Sequence, residues 1–347
     1  MGEPSAQTTQ WVTLIGDSAR TGGLGLRPAP APKGVLWRVR LGRSVSSAPV
    51  LGGDLLFVTC LDGFLHAINV RTGRHAWQFN AGSPIHSTPS LSGDKVLFGC
   101  DNGRVYALDC ESGEERWVVT TGGEVWTSPV ILDGKAFFGS ADGKFYAVDS
   151  ESGKPEWVRN LGSRIYSTAY AMPGRVYFGC SDNRLYCLAT ESGQALWSTP
   201  TGSAIDSSPA VVGKSVLVGS EDFAVYSFDA DDGSVRWKFD TGLGVSSSPA
   251  VGGETAFIGS KDGFLYAIAV ENGRLRWKVQ LETCVTAPPV VGDGIVCIQA
   301  GALSTHDAST GKIVWTAALG SSLQSSPVLT GSTIYLTGNQ GMVYALE

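Results

Sequence analysis

The sequence is poor in charge. Only 17% of its 347 residues are Asp, Glu, Lys or Arg, and the formal net charge is −6. An acidic chain without a basic cluster lacks the electrostatic footprint that binding to nucleic acid or to an acidic membrane surface requires. No run of like charges is long enough to predict a charged tail. We therefore expect no nucleic-acid partner.

Long hydrophobic runs are also missing. No apolar stretch approaches the ~20 residues that a helix needs to cross a bilayer, so no membrane span is expected. The sequence does not open on the basic and then apolar leader of an export signal. These observations predict a cytoplasmic protein, or an exported one whose signal lies outside this sequence, and we expect a monomer.

The seven cysteines form no recognisable pair or cluster, because none are neighbours and there is no CxxC motif. Cys60, Cys100, Ser140, Cys180 and Ser220 follow one another at equal intervals. Cysteine that alternates with serine at one position predicts small core or turn residues rather than disulfides or metal ligands. We expect no metal site, and the cysteine usage favours a reducing compartment.

A tryptophan recurs at a constant interval. The equally spaced series is Trp37, Trp77, Trp117, Trp157, Trp197, Trp237 and Trp277, and Trp315 follows after a slightly shorter interval. A fixed period of this size is the signature of a repeat architecture. The repeat fills residues 34–347, which predicts one domain there, preceded by a lead-in segment and a Pro/Gly-rich connector in residues 1–33.

One copy of the repeat, residues 117–157, predicts four short strands. Alternating, β-prone residues occupy 117–120, 125–131, 135–140 and 144–149, and tight turns containing Asp-Gly separate the later ones. Four strands joined by short turns form an antiparallel meander. Such a sheet cannot bury both of its faces alone, and sheets arranged radially bury each other. The predicted fold is an all-β propeller of four-stranded antiparallel blades.

The two ends of the chain predict how the ring closes. The sequence stops after the fourth strand of a repeat, at 342–347, and the first repeat begins with an unpaired Trp strand at 34–41. Pairing these two strands completes an eighth blade and removes a free sheet edge, which would otherwise invite aggregation.

The segments 107–117, 147–157 and 228–237 resemble the quinoprotein, or PQQ-like, propeller repeat, and residues 11–22 resemble the lead-in of its stand-alone bacterial members. The resemblance covers residues 34–347 and implies an eight-bladed propeller. That family includes dehydrogenases that hold pyrroloquinoline quinone and calcium. It also includes cofactor-free members, among them an outer-membrane barrel-assembly lipoprotein that acts as a binding scaffold, and sensor modules.

The dehydrogenase branch fits this sequence poorly. Short repeats of nearly constant length leave little loop to build a cofactor chamber, the adjacent cysteine pair of that branch is missing, and no calcium ligand set stands out. We therefore expect no bound quinone and no other cofactor.

Two positions in each repeat vary while their neighbour stays apolar. Nine residues after each Trp the residues are Ser46, His86, Trp126, Tyr166, Asp206, Ser246, Thr286 and Gln324. Seven residues after it, Glu124 and Arg164 stand out. The apolar residue between the two positions should pack between blades, so its neighbours should point towards the mouth of the central channel. Phe223, which replaces the glycine of a rim turn, should add an exposed aromatic beside Asp206.

The variable residues predict a site on one half of the mouth. A rigid platform that binds a small molecule, a peptide or a protein would use His86, Glu124, Trp126, Arg164, Tyr166, Asp206, Phe223 and Gln324. An enzyme that performs acid–base chemistry on a small organic substrate is the alternative, with His86, Glu124, Tyr166 and Asp206 as the catalytic groups. A quinone-dependent dehydrogenase comes third. A further alternative is that these residues have no function and only line a water-filled channel mouth. The aspartates of the rim turns predict turn structure rather than a calcium ring.

Overall fold

The computed structural model describes residues 33–45, 47–292, 294–317, 325–330, 333–338 and 340–347, so the predicted lead-in segment lies outside the described residues except for Lys33. All of the regular structure there is β-strand, in eight sheets of four strands each. Within these ranges no helix is long and apolar enough to span a bilayer.

Strand β1 is Val35–Arg40. Blade 1 comprises β2 Val50–Gly52, β3 Leu55–Thr59, β4 Phe64–Asn69 and β5 His75–Asn80; blade 2 comprises β6 Ser90–Ser92, β7 Lys95–Gly99, β8 Arg104–Asp109 and β9 Glu115–Thr120; blade 3 comprises β10 Val130–Leu132, β11 Lys135–Gly139, β12 Lys144–Asp149 and β13 Pro155–Asn160; blade 4 comprises β14 Tyr170–Met172, β15 Arg175–Cys180, β16 Arg184–Leu188 and β17 Ala195–Pro200.

Blade 5 comprises β18 Ala210–Val212, β19 Ser215–Ser220, β20 Ala224–Asp229 and β21 Val235–Asp240; blade 6 comprises β22 Ala250–Gly252, β23 Thr255–Gly259, β24 Phe264–Ala269 and β25 Leu275–Gln280; blade 7 comprises β26 Val290–Gly292, β27 Ile295–Ala300, β28 Ala302–Asp307 and β29 Ile313–Ala317. Blade 8 contains β30 Val328–Thr330, β31 Thr333–Thr337 and β32 Met342–Leu346, with β1 as its fourth strand.

The predicted ring closure is confirmed. Strand β1 pairs antiparallel with β32, with Val39 opposite Val343 and Arg40 opposite Met342. The main-chain carbonyl of Glu347 accepts hydrogen bonds from the amides of Lys33 and Gly34. The first and last residues of the repeat region therefore meet in one blade, and the eight-bladed all-β propeller is as the sequence predicts.

The innermost strand of each blade is shorter than predicted. In blade 3 the sequence predicts a strand over 125–131, whereas β10 covers only Val130–Leu132. The cause is the preceding triplet Thr127-Ser128-Pro129, whose equivalents recur before most innermost strands. Pro129 has no N–H to donate, and the Thr127 hydroxyl bonds to β11 in place of the backbone. That hydroxyl lies 2.8 Å from the Gly139 carbonyl oxygen and 3.0 Å from the Gly139 amide nitrogen.

In blades 3 to 6 the second residue of this triplet is Ser or Thr, and its hydroxyl accepts a hydrogen bond from the equivalent amide of the preceding blade. The Ser128 amide donates to the Thr168 hydroxyl at 3.0 Å, the Thr168 amide to Ser208 at 3.1 Å, and the Ser208 amide to Ser248 at 2.9 Å. These bonds run around the channel from blade 3 to blade 6. They account for the Ser or Thr at this position, and they join the loops before the inner strands of neighbouring blades.

The repeated tryptophans pack between blades. The Trp117 indole N–H donates to the carbonyl of Ser150 in the next blade at 3.2 Å, and the equivalent bond recurs for each Trp from Trp37 to Trp277. The glycine of the repeat lies against this ring. A Cβ on Gly153, whose φ is +70°, would come within 2.8 Å of the Trp117 ring.

Candidate functional site

The mouth of the channel is lined by the loops that lead into the innermost strands. In each of these loops the central apolar residue is buried; Val125 and Ile165 are 0% exposed. Glycines oppose these side chains, because a Cβ on Gly139 would lie 2.3 Å from Ile165. The apolar residue is thus locked between blades, and the residues on either side of it face away from that contact.

Three of the predicted residues form one continuous stack across blades 2, 3 and 4. The ring centroids of His86 and Trp126 are 4.7 Å apart at 35°, and those of Trp126 and Tyr166 are 4.7 Å apart at 30°. Trp126 is 38% exposed, so the stack presents an apolar face to solvent. The constant repeat length produces this arrangement, because it places equivalent side chains of adjacent blades side by side.

Polar groups flank the stack. The His86 Nε2 atom lies 3.5 Å from the Asp101 carboxylate. Burial raises the pKa of Asp101; the nearby Glu124 carboxylate acts in the same direction and His86 opposes it. At the other end, the Arg164 guanidinium donates to the Tyr166 hydroxyl at 3.3 Å. The stack therefore has a carboxylate–imidazole pair at one end and a cation at the other.

A concave pocket of about 470 Å³ opens beside the stack, between blades 2 and 3. Asp101, Glu124 and Arg164 line it, together with backbone of the loops around Gly103 and Gly122. The predicted residues Glu124 and Arg164 thus belong to one pocket, whose charged groups have both signs.

Asp206 lies in a different environment. Burial raises its pKa; the Glu221 charge adds to this and Lys261 opposes it. Glu221 and Lys261 form an ion pair between blades 5 and 6, with Lys261 Nζ 2.7 Å from Glu221 Oε1. One oxygen of Asp206, Oδ1, is buried and has no hydrogen-bond partner within the described part of the chain. Asp206 therefore belongs to this charged group rather than to the aromatic stack.

Phe223 is 49% exposed, and its backbone adopts a φ of +68°, a region that residues other than glycine rarely occupy. Leu243, 47% exposed, lies close by, since the Thr241 hydroxyl is 2.9 Å from the Phe223 carbonyl oxygen and 2.7 Å from that of Leu243. Both side chains add exposed apolar surface to the rim. Gln324, predicted to join the site, lies outside the described residues.

The rim aspartates are turn residues, as predicted. Asp142 accepts a hydrogen bond from the Tyr146 hydroxyl at 2.5 Å, one from the Lys144 amide at 2.9 Å and one from the Gly122 amide at 2.9 Å. The same Tyr–Asp contact recurs in blades 4, 5 and 6. The Asp142 carboxylate oxygens therefore hold the rim turn against the neighbouring loop.

A third variable position, not recognised in the sequence, lies just before the Asp or Asn of each rim turn. It carries Asp101, Glu221 and Lys261, which are the charged partners of His86 and Asp206. Their signal was present in the sequence, because this position carries a different residue in each blade from 1 to 6. It was hidden because the Asp-Gly pairs beside it indicate only turn structure.

A family model described as outer membrane protein assembly factor BamB matches residues 29–99, 61–165 and 156–347. No curated protein matches the sequence significantly.

Solved structures share the fold at low sequence identity. BamB from Moraxella catarrhalis is 20% identical over 90% of this chain and 99% of its own, with a TM-score of 0.78. The quinohemoprotein alcohol dehydrogenase from Comamonas testosteroni is 15% identical over 98% of this chain and 81% of its own, with a TM-score of 0.84. The computationally designed Ika8 protein is 17% identical over 90% of this chain and 99% of its own, with a TM-score of 0.81. At these identities the likeness shows the fold alone.

The residues at the mouth fit a quinone with a calcium ion poorly. The rings of His86, Trp126 and Tyr166 contact one another in turn at centroid distances of 4.7 Å, so no planar cofactor can lie between them. All seven cysteines are free thiols. Among the described residues, only Cys60, Asp62 and His66 bring three metal-ligating groups together, and that set is not the all-oxygen set that calcium prefers.

Proposed function

The chain belongs to the family described as outer membrane protein assembly factor BamB, and from this premise we propose that it is a rigid platform that binds a segment of another protein at the mouth of its channel. The continuous stack of His86, Trp126 and Tyr166 carries the proposal. Exposed aromatic side chains held in place by their neighbours are the usual anchors of protein interfaces.

The surroundings of the stack support a peptide-like ligand. Asp101, Glu124 and Arg164 offer charged groups of both signs around an apolar centre, which suits an extended segment with one apolar side chain and polar flanks. Hydrogen bonds between neighbouring blades hold the loops that carry the stack in place. Binding therefore costs little conformational entropy in these loops. A small molecule in the same pocket is the alternative ligand.

Selection of displayed peptides against the wild-type protein tests the proposal. Peptides that bind should lose at least about 30-fold in affinity to Trp126→Ala, because an anchor residue contributes about 2 kcal/mol or more. Glu111→Ala is the matched control: it lines a pocket on the opposite face and should leave the affinity unchanged. Melting temperatures should show that both variants are folded. Peptides that bind Trp126→Ala as tightly as the wild type, or that lose affinity to Glu111→Ala, would contradict the proposed site.

Acid–base catalysis is the second candidate, and the contact between His86 and Asp101 favours it. A carboxylate beside an imidazole orients the ring for proton transfer. An enzyme would lose about 10²–10⁴-fold in rate on His86→Ala while its affinity for substrate changed little. A binding platform would show the reverse, with Trp126→Ala causing the larger loss of affinity.

Added quinone should not produce a dehydrogenase. We expect no dye-linked alcohol or sugar oxidation after incubation of the protein with pyrroloquinoline quinone and Ca²⁺, because the short repeats leave little loop to build a cofactor chamber and the rings at the mouth leave no gap between them. The same assay on a quinoprotein dehydrogenase stripped of its cofactor is the positive control. Turnover by this protein above the background without quinone would overturn the expectation.

The monomeric state and the location of the protein remain predictions. An assembly factor for outer membrane proteins works outside the cytoplasm, so the proposed function favours the exported alternative. The seven free cysteines favour a reducing compartment instead. Cell fractionation decides between the two.

A further inference from the structure

Blade 1 departs from the other blades at one buried position. Six blades carry tyrosine there: Tyr106, Tyr146, Tyr186, Tyr226, Tyr266 and Tyr344. In blades 3 to 6 its hydroxyl donates to the rim aspartate four residues earlier. Blade 1 has His66 instead, four residues after Asp62. The shorter imidazole leaves the usual contact with the aspartate unmade.

His66 has unused polar atoms in a buried position. It is 4% exposed, and both of its ring nitrogens lack a hydrogen-bond partner within the described residues. Burial lowers its pKa to about 4, so the ring is neutral near pH 7 and keeps a free lone pair. A buried imidazole without a hydrogen-bond partner is rare, since buried polar atoms are normally hydrogen-bonded.

Two further ligand types converge on this histidine. One ligand atom each from Cys60, Asp62 and His66 lie within 4.8 Å of one another. In a tetrahedral zinc site, with Zn–S of about 2.3 Å and Zn–N of about 2.0 Å, ligand atoms are about 3.5 Å apart. A small inward movement of the three side chains is therefore enough to enclose an ion.

We propose that Cys60, Asp62 and His66 form a site for Zn²⁺ or a similar divalent transition-metal ion. The mixed sulfur, nitrogen and oxygen donors suit this class and do not suit Ca²⁺ or Mg²⁺. Three protein ligands leave the fourth position for water. The proposal departs from the sequence-based expectation of no metal, and it does not depend on the proposed function.

A pocket lies next to the three side chains, and metal binding requires a change of protonation. The Cys60 thiol contacts the carbonyls of Arg43 and Ser44 at 3.4 and 3.5 Å. Those residues and Leu61 line a pocket of about 560 Å³ that also contains His86, so it opens at the mouth face. Burial raises the pKa of Cys60 to about 11, and binding must therefore release the thiol proton.

Titration of the reduced, metal-free protein with Co²⁺ tests the site, because a thiolate ligand gives Co²⁺ a charge-transfer absorption. We expect the absorption to saturate at one equivalent in the wild type and to disappear when Zn²⁺ displaces Co²⁺. The variants His66→Tyr and Cys60→Ser should bind at least about 100-fold more weakly, since each lacks a direct ligand. Both substitutions are compatible with the fold. Tyr occupies the position of His66 in six other blades, and the position of Cys60 is occupied elsewhere by Ser140, Ser220 and Ser260.

Cys284→Ser is the control, because Cys284 is the one exposed cysteine and could bind cobalt on its own. The absorption should persist in this variant. Unfolding temperatures should rise with Zn²⁺ in the wild type and fall back with a chelator, and they should not respond in His66→Tyr. The proposal is overturned if the wild type gives no thiolate absorption, if His66→Tyr gives an undiminished one, or if Cys284→Ser abolishes it.

Discussion

A chain that lacks residues 1–41 should aggregate instead of folding into a ring. The truncation removes β1, so β32 loses its partner along Met342–Leu346 and becomes an open edge. It also removes Trp37, whose indole donates to the Val70 carbonyl of blade 1 at 2.7 Å and lies against Gly73. An unpaired strand edge is a template for pairing between chains, and the ring would lose both closure and an interblade contact. Size-exclusion chromatography and static light scattering would measure the result.

A shorter truncation is the control. Removal of residues 1–32 keeps all of β1 and the amides of Lys33 and Gly34 that bond to the Glu347 carbonyl. This protein should elute at the size of the full chain. If the longer truncation is also soluble and melts at the wild-type temperature, the pairing of the two ends does not hold the ring closed.

Trp117→Ala should lower the free energy of unfolding by about 3–5 kcal/mol, the range observed when large buried aromatic side chains are removed. Trp117 is 8% exposed and packs against Gly153 of the next blade while its N–H bonds to Ser150. The substitution leaves a cavity between two blades and an unsatisfied carbonyl. Chemical denaturation monitored by circular dichroism would measure the loss.

Trp126→Ala is the matched comparison, because it removes the same side chain from an exposed position. We expect a loss below about 1 kcal/mol there, as for other surface substitutions. Equal losses at the two positions would contradict the separation of the interblade tryptophan from the exposed tryptophan at the channel mouth.

Two glycines isolate the contact with the indole ring. Gly153 and Gly134 both have positive φ, +70° and +75°, but a Cβ would meet the Trp117 ring at 2.8 Å only at Gly153, and nothing within 4 Å at Gly134. Gly134→Ala should therefore cost only the backbone strain of about 1–2 kcal/mol. Gly153→Ala should cost at least about 1 kcal/mol more, from steric conflict. If the two variants are equally stable, the ring is free to move away.

The candidate site was predicted in part. The sequence identified His86, Trp126 and Tyr166 because a constant period makes departures visible, and their stacking follows from the repetition of one backbone conformation in adjacent blades. It grouped Asp206 with them, whereas the structure surrounds Asp206 with Glu221 and Lys261. Position along a repeat predicts which rim a residue occupies, but it does not predict which neighbours the side chain turns to.

The sequence by itself determined the number of blades and the place of closure. Each of these depends on a periodic pattern of apolar, small and turn residues that only one architecture can bury. Only the tertiary structure decided that Thr127 replaces part of the inner strand, that Asp101 faces His86, and that Cys60, Asp62 and His66 converge. The physical reason is that these contacts depend on side-chain direction and on reach of a few ångströms, which residue spacing does not specify.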